Sequence, residues 1–125
     1  MGGIDNTLLI GRQGIFSRPM VFNFVWGVAG GQKFRPEAFA SMVHALPEGS
    51  LFTTCGIGLE QCPAITMSCL MGGHMRVGLE DNVYKSRGVK WSSNGEAVEW
   101  VVGLAKMLGR KVATPADWRP GDDVI

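Results

Sequence analysis

The feature that most restricts this chain is a rhythm. Three β-forming runs are each followed, across a turn or loop, by a run with helical spacing. Met20–Gly27 (MVFNFVWG) is rich in β-branched and aromatic residues, follows the breaker Pro19 and reads as a buried strand. The loop Val28–Phe34 carries Gly30-Gly31. Pro36 then takes a first-turn position, and Phe39, Met42, Val43 and Leu46 recur at helical spacing until Pro47 and Gly49. Leu51–Cys55 predicts a second strand, followed by the turn Gly56-Ile57-Gly58 and a helix from Leu59 to Met71. His74–Glu80 predicts a third strand, and a polar loop runs from Asn82 to Ser93. Ser93 or Asn94 caps a final helix with the stripe Ala97, Val98, Val101, Leu104, Ala105 and Leu108, and Gly109 follows it. Thr114-Pro115-Ala116-Asp117 predicts the cap and first turn of one more helical piece. Ile4, Leu8 and Leu9 read as the end of an earlier helix.

Alternating strand and helix means right-handed crossovers and a parallel sheet. Three such units suit either a small doubly wound domain or a sector of a (β/α)8 TIM barrel. A whole barrel takes ~250 residues, so 125 residues are about half of one. A helix end ahead of the first strand favours the sector, a single partial domain over 1–125. Composition agrees. Charged residues are 18% against the usual ~25%, and glycine is 18 of 125, as suits strands covered on both faces. Twelve basic against eleven acidic residues give a net charge of +1, which supplies no reason to expect nucleic acid or an anionic membrane. Neither an apolar run of ~18 residues nor a signal-like start is present, so a soluble, cytoplasmic protein is expected.

Cys55, Cys62 and Cys69 are odd in number and spaced by seven, unlike a disulfide framework or a CxxC knuckle. They are expected as buried thiols packed as small hydrophobes; the competing reading is a three-thiolate zinc site with His74. His44 reads as a surface or packing residue. Trp26, Trp91, Trp100 and Trp118 read as packing residues.

Period two through His74–Asp81 puts Met75, Val77 and Leu79 on one face and Arg76, Gly78 and Glu80 on the other. In a barrel the charged face points inward at a strand's carboxyl end, where such folds keep their active sites. Gly78 leaves room for Arg76 to lie toward Glu80. The bland alternative is an internal Arg–Glu pair with no chemistry, which is costly beside a third charge, Asp81.

The run Gly72-Gly73-His74-Met75-Arg76-Val77-Gly78-Leu79-Glu80-Asp81-Asn82-Val83-Tyr84, with Ser86-Arg87-Gly88 after it, resembles the closing motif of the β-keto acid cleavage enzymes. The likeness extends through Gly109–Pro115 and upstream to Phe24–Gly31 and Leu46–Gly49. It implies the carboxyl-terminal half of a zinc-dependent (β/α)8 barrel. Such an enzyme cleaves a β-keto acid, here of the 3-keto-5-aminohexanoate type, with acetyl-CoA to give acetoacetate and an acyl-CoA. The resemblance makes Glu80 a metal ligand, Asp81 the general base and Arg76 the group that stabilises anionic substrate and intermediates. It also implies a homo-oligomer when complete.

The histidine pair of that metal site is missing, because no HxH occurs in the chain. The expectation is therefore a barrel truncated at its start and inactive alone. The alternative is a non-catalytic half-barrel module that assembles with itself or with a separate amino-terminal half. Gly30, Gly31, Gly56 and Gly58 follow strand ends, where backbone N–H groups can approach a coenzyme phosphate or simply permit tight turns.

Overall fold

The computed structural model describes residues 2–14, 16 and 19–118, with the side chain of Trp118 outside that set. Helix α1 (Gly2–Gly11) precedes strand β1 (Val21–Trp26), helix α2 (Pro36–His44) and strand β2 (Leu51–Gly56). A 3-10 turn (Gly58–Glu60) leads into helix α3 (Gln61–Leu70), and strand β3 (His74–Met75) follows. The chain then forms a hairpin of β4 (Tyr84–Ser86) and β5 (Val89–Lys90), helix α4 (Asn94–Met107) and the short helix α5 (Pro115–Trp118).

β1, β2 and β3 form one parallel sheet in that order, with Phe24 opposite Thr54 and Thr54 opposite Met75. Alternation fixes which face is covered. Phe24 and Trp26 of β1 and Phe52 of β2 are buried with Ile4 of α1, Phe39 of α2 and Ala64 of α3. Phe39 sits among the rings of Phe24, Trp26, Phe34 and Phe52, with centroids 5.8–6.1 Å away, distances at which aromatic pairs attract. The opposite face has no such cover: Val21 is 56% exposed and Val25 43%. On that face Thr53 donates a 2.7 Å hydrogen bond to Asn23.

Several expectations need correcting. The third strand stops at Met75 rather than Glu80. Its last ladder bond is donated by the Arg76 amide to Thr54 O (2.9 Å), after which the amides of Asp81 and Asn82 both turn back to Gly78 O. The polar loop 82–93 contains the β4–β5 hairpin. Leu9 and Val98, read as apolar face residues, are 61% and 50% exposed. Cys62 is exposed, whereas Cys55 and Cys69 are buried. Among the described residues no three His, Cys, Asp or Glu side chains group to hold a metal, so the thiolate site with His74 does not form. His44 is exposed, while Trp26 and Trp91 pack as expected, the latter 5.4 Å from the Trp100 ring. No described helix is long and apolar enough to cross a membrane.

Candidate functional site

The site lies at the carboxyl edge of the sheet and begins where β3 gives out. By the register of the ladder, Arg76 shares the uncovered face with Cys55 and Val25. Its guanidinium does not reach toward Glu80. Instead Nε and Nη2 donate to the two oxygens of Asp81, at 2.9 Å each. The turn from Gly78 makes this possible, because it brings Asp81 back over the strand end. A two-point guanidinium–carboxylate contact fixes orientation as well as charge. The Arg76 side chain is 47% exposed and that of Asp81 16%. Glu80 is exposed on the same turn.

Two charges register at the neighbouring thiol. Burial pushes the pKa of Cys55 up, the Asp81 carboxylate pushes it further, and the Arg76 guanidinium opposes them. Cys55 therefore stays a neutral thiol beside the ion pair. Hydrogen bonding to Asp81 raises the pKa of Arg76, which remains cationic throughout the working pH range.

Asn82 and Asn94, the latter expected only as a candidate helix cap, hold the turn. Buried Asn82 donates to Gly58 O (3.1 Å) and Tyr84 O (2.9 Å) and accepts from the Tyr84 amide (3.1 Å). Asn94 accepts from the Leu79 amide at 2.8 Å. One signal was available: Asn82 directly follows the charged pair, and asparagine is a residue that satisfies turn backbone. Glu60, just beyond the end of β2, has a comparable role. It accepts from the Phe34 amide at 3.0 Å and ties the loop after β1 to the 3-10 turn.

The four glycines divide. Asn82 brings Gly58 to the Arg76–Asp81 turn; no described contact brings Gly30 or Gly31 there. Gly30 occupies positive φ (+78°) in a turn closed by the Gly31 amide on Val28 O, 2.8 Å. A Cβ on Gly56 would lie 2.6 Å from the Gln61 backbone, so this glycine admits α3 against the strand end.

Residues 1–120 match the sequence model of the beta-keto acid cleavage enzymes. The chain belongs to that family. Among curated family proteins it is 46% identical over 116 residues to the 3-keto-5-aminohexanoate cleavage enzyme of Acetoanaerobium sticklandii, covering 93% of this chain and 42% of the relative. It is also 46% identical over 118 residues to the enzyme of the same name from Fusobacterium nucleatum subsp. nucleatum, covering 94% and 43%. A 3-oxoadipate:acetyl-CoA acetyltransferase from Cupriavidus necator is 37% identical over 100 residues, 77% of this chain and 35% of that protein. The chain thus spans less than half the length of the beta-keto acid cleavage enzymes it matches.

Proposed function

We propose that this chain carries the proton-transfer machinery of an enzyme that cleaves a β-keto acid of the 3-keto-5-aminohexanoate type with acetyl-CoA. The products are acetoacetate and a new acyl-CoA. The carboxymethyl unit leaves the substrate's keto carbon for the acetyl group, and coenzyme A passes from the acetyl group to that keto carbon. The observation that carries this reading is the two-point Arg76–Asp81 pair at the carboxyl edge of a parallel sheet, in a chain of this family.

The pair suits the first step. Arg76 commits Nε and Nη2 to Asp81, and among the described residues Nη1 has no partner, so it can take the substrate's carboxylate. As the substrate draws the guanidinium toward itself, an Asp81 oxygen is released to accept a proton from the carbon between the two carbonyl groups. The resulting enolate stays next to a fixed cation, which stabilises the negative charge as it develops.

In this reading the sheet is the carboxyl-terminal sector of a (β/α)8 barrel, and its uncovered face, with Val21, Asn23 and Val25, is the barrel interior. Zinc is the metal the resemblance implies, with Glu80 as a ligand. Glu80 offers one carboxylate where a catalytic zinc takes three protein ligands, and no described group of three donors exists. The chain alone does not fit the metal, and no step here runs through it.

The test joins this chain to the amino-terminal portion of the Acetoanaerobium relative and follows acetoacetate formation from acetyl-CoA and the β-keto acid. Turnover is expected. Asp81→Asn should lower kcat about 100-fold or more, the usual scale for losing a general base. Arg76→Lys should raise KM and lower kcat together, because it keeps the charge but loses the fork. Full activity in Asp81→Asn sinks the assignment.

A further inference from the structure

Between the 3-10 turn and the hairpin runs a groove of 570 Å³ whose walls come from two parts of the chain. Gly58, Leu59 and Cys62 of the 3-10 turn and α3 form one wall; Tyr84, Lys85 and Arg87 of the hairpin form the other. Its volume is that of a site for a ligand much larger than a short keto acid. Its chemistry is mixed. Leu59 is 72% exposed and Tyr84 43%, apolar surface left open to solvent, yet the hairpin is cationic. Lys85 is answered by Glu96 at 2.8 Å. Arg87 and Lys90 are in no ion pair among the described residues, and Lys90 stands 5.9 Å above the Tyr84 ring.

The two walls of the groove are joined by the residue that follows the ion pair in sequence. Asn82, adjacent to Asp81, is hydrogen-bonded to Gly58 and Tyr84, one residue on each wall. Arg87 lies in the turn that follows β4, at the far end of the hairpin from the Asn82–Tyr84 bonds. A ligand that fills the groove and ends at Asp81 therefore needs a long, partly apolar arm with anionic groups at its far end.

We infer that the groove seats the arm of acetyl-CoA, with the thioester at the Asn82 end and the phosphates at Arg87. This deepens the function proposed above and rests on it for the choice of ligand; the groove and its charge are independent of it. It also moves the coenzyme away from Gly30 and Gly31 and gives the hairpin a purpose.

Cys62 supplies the readout, because it lines the groove and is exposed while Cys55 and Cys69 are 1% and 2% exposed. The full chain is treated with N-ethylmaleimide, and modification of Cys62 is followed by mass spectrometry on molecules whose other two thiols remain unmodified. Saturating acetyl-CoA should slow Cys62 modification at least tenfold. Arg87→Ala, at an exposed hairpin tip, should raise the half-protecting concentration at least fivefold. Acetyl-pantetheine, which lacks the nucleotide, should protect weakly and respond equally in both proteins. Asp81→Asn should leave protection by acetyl-CoA intact, so loss of turnover without loss of protection counts against the catalytic assignment alone. Failure of acetyl-CoA to protect Cys62, or protection indifferent to Arg87→Ala, overturns the groove assignment even if the joined protein turns over.

Discussion

Asn82 shows how much one side chain can determine at this edge of the sheet. It is buried, and its amide bonds three backbone groups belonging to two different segments. Asn82→Ala should cost about 2 kcal/mol, because a buried side chain's three hydrogen bonds are lost and part-buried carbonyls and an N–H lose their partner. Asn82→Asp should not rescue it, since a carboxylate cannot donate to Gly58 O and Tyr84 O. Urea melts check both, and a change within about 0.5 kcal/mol, the ordinary surface range, contradicts the role. Gly73 is a second such point, because a Cβ there would overlap the Phe52 ring; Gly73→Ala should destabilise by about 1–3 kcal/mol through overpacking. The sequence made the charged trio Arg76, Glu80 and Asp81 conspicuous but mispaired it. Alternation through RVGLED reads as continuous strand, while the turn that replaces its second half is held by the side chains of Asn82 and Asn94, and Asn94 lies fifteen residues beyond the amide it bonds. Local periodicity contains no trace of such distant partners.

At the scale of elements, the hairpin and α4 are held together by Glu96. Ser93 caps α4 by accepting from the Glu96 amide (3.1 Å), and Glu96 in turn accepts from the Ser92 amide and hydroxyl and from Lys85, an arrangement close to a capping box. These bonds, the Lys85 contact foremost, lower the pKa of Glu96 from 4.5 to about 2. A carboxylate depressed in the folded state contributes stability above its unfolded pKa and loses it as pH falls through the folded one. Thermal melts should therefore weaken between pH 4.5 and about 2, and Glu96→Gln should flatten the fall in that window. An unchanged slope in the variant contradicts it. The cap at Ser93 was readable in the sequence; the hairpin was missed. Its signal was present in Arg87-Gly88 between Tyr84–Ser86 and Val89–Lys90, with Gly88 at φ +78°, but the polar character of the run masked it.

For the whole molecule, the alternating units and the parallel sheet followed from pattern alone, because βα crossovers leave few topologies. What pattern could not give is where each strand ends or what lies over the second face. That face exposes Val21 and Val25, and β1 and β3 are edges of the described sheet. Exposed apolar sheet with open edges favours association, so the isolated chain should sediment as concentration-dependent oligomers; a compact, cooperatively melting monomer at tens of micromolar contradicts the barrel-sector reading. The central claim, that Asp81 removes a proton from the β-keto acid while Arg76 holds the anion, is tested most directly without acetyl-CoA. In D2O, proton NMR follows exchange at the carbon between the two carbonyl groups, using this chain joined to a relative's amino-terminal portion. Exchange should exceed the buffer rate, fall to that rate in Asp81→Asn and be slowed in Arg76→Lys. Exchange in Asp81→Asn at the rate of the unaltered protein would contradict the account.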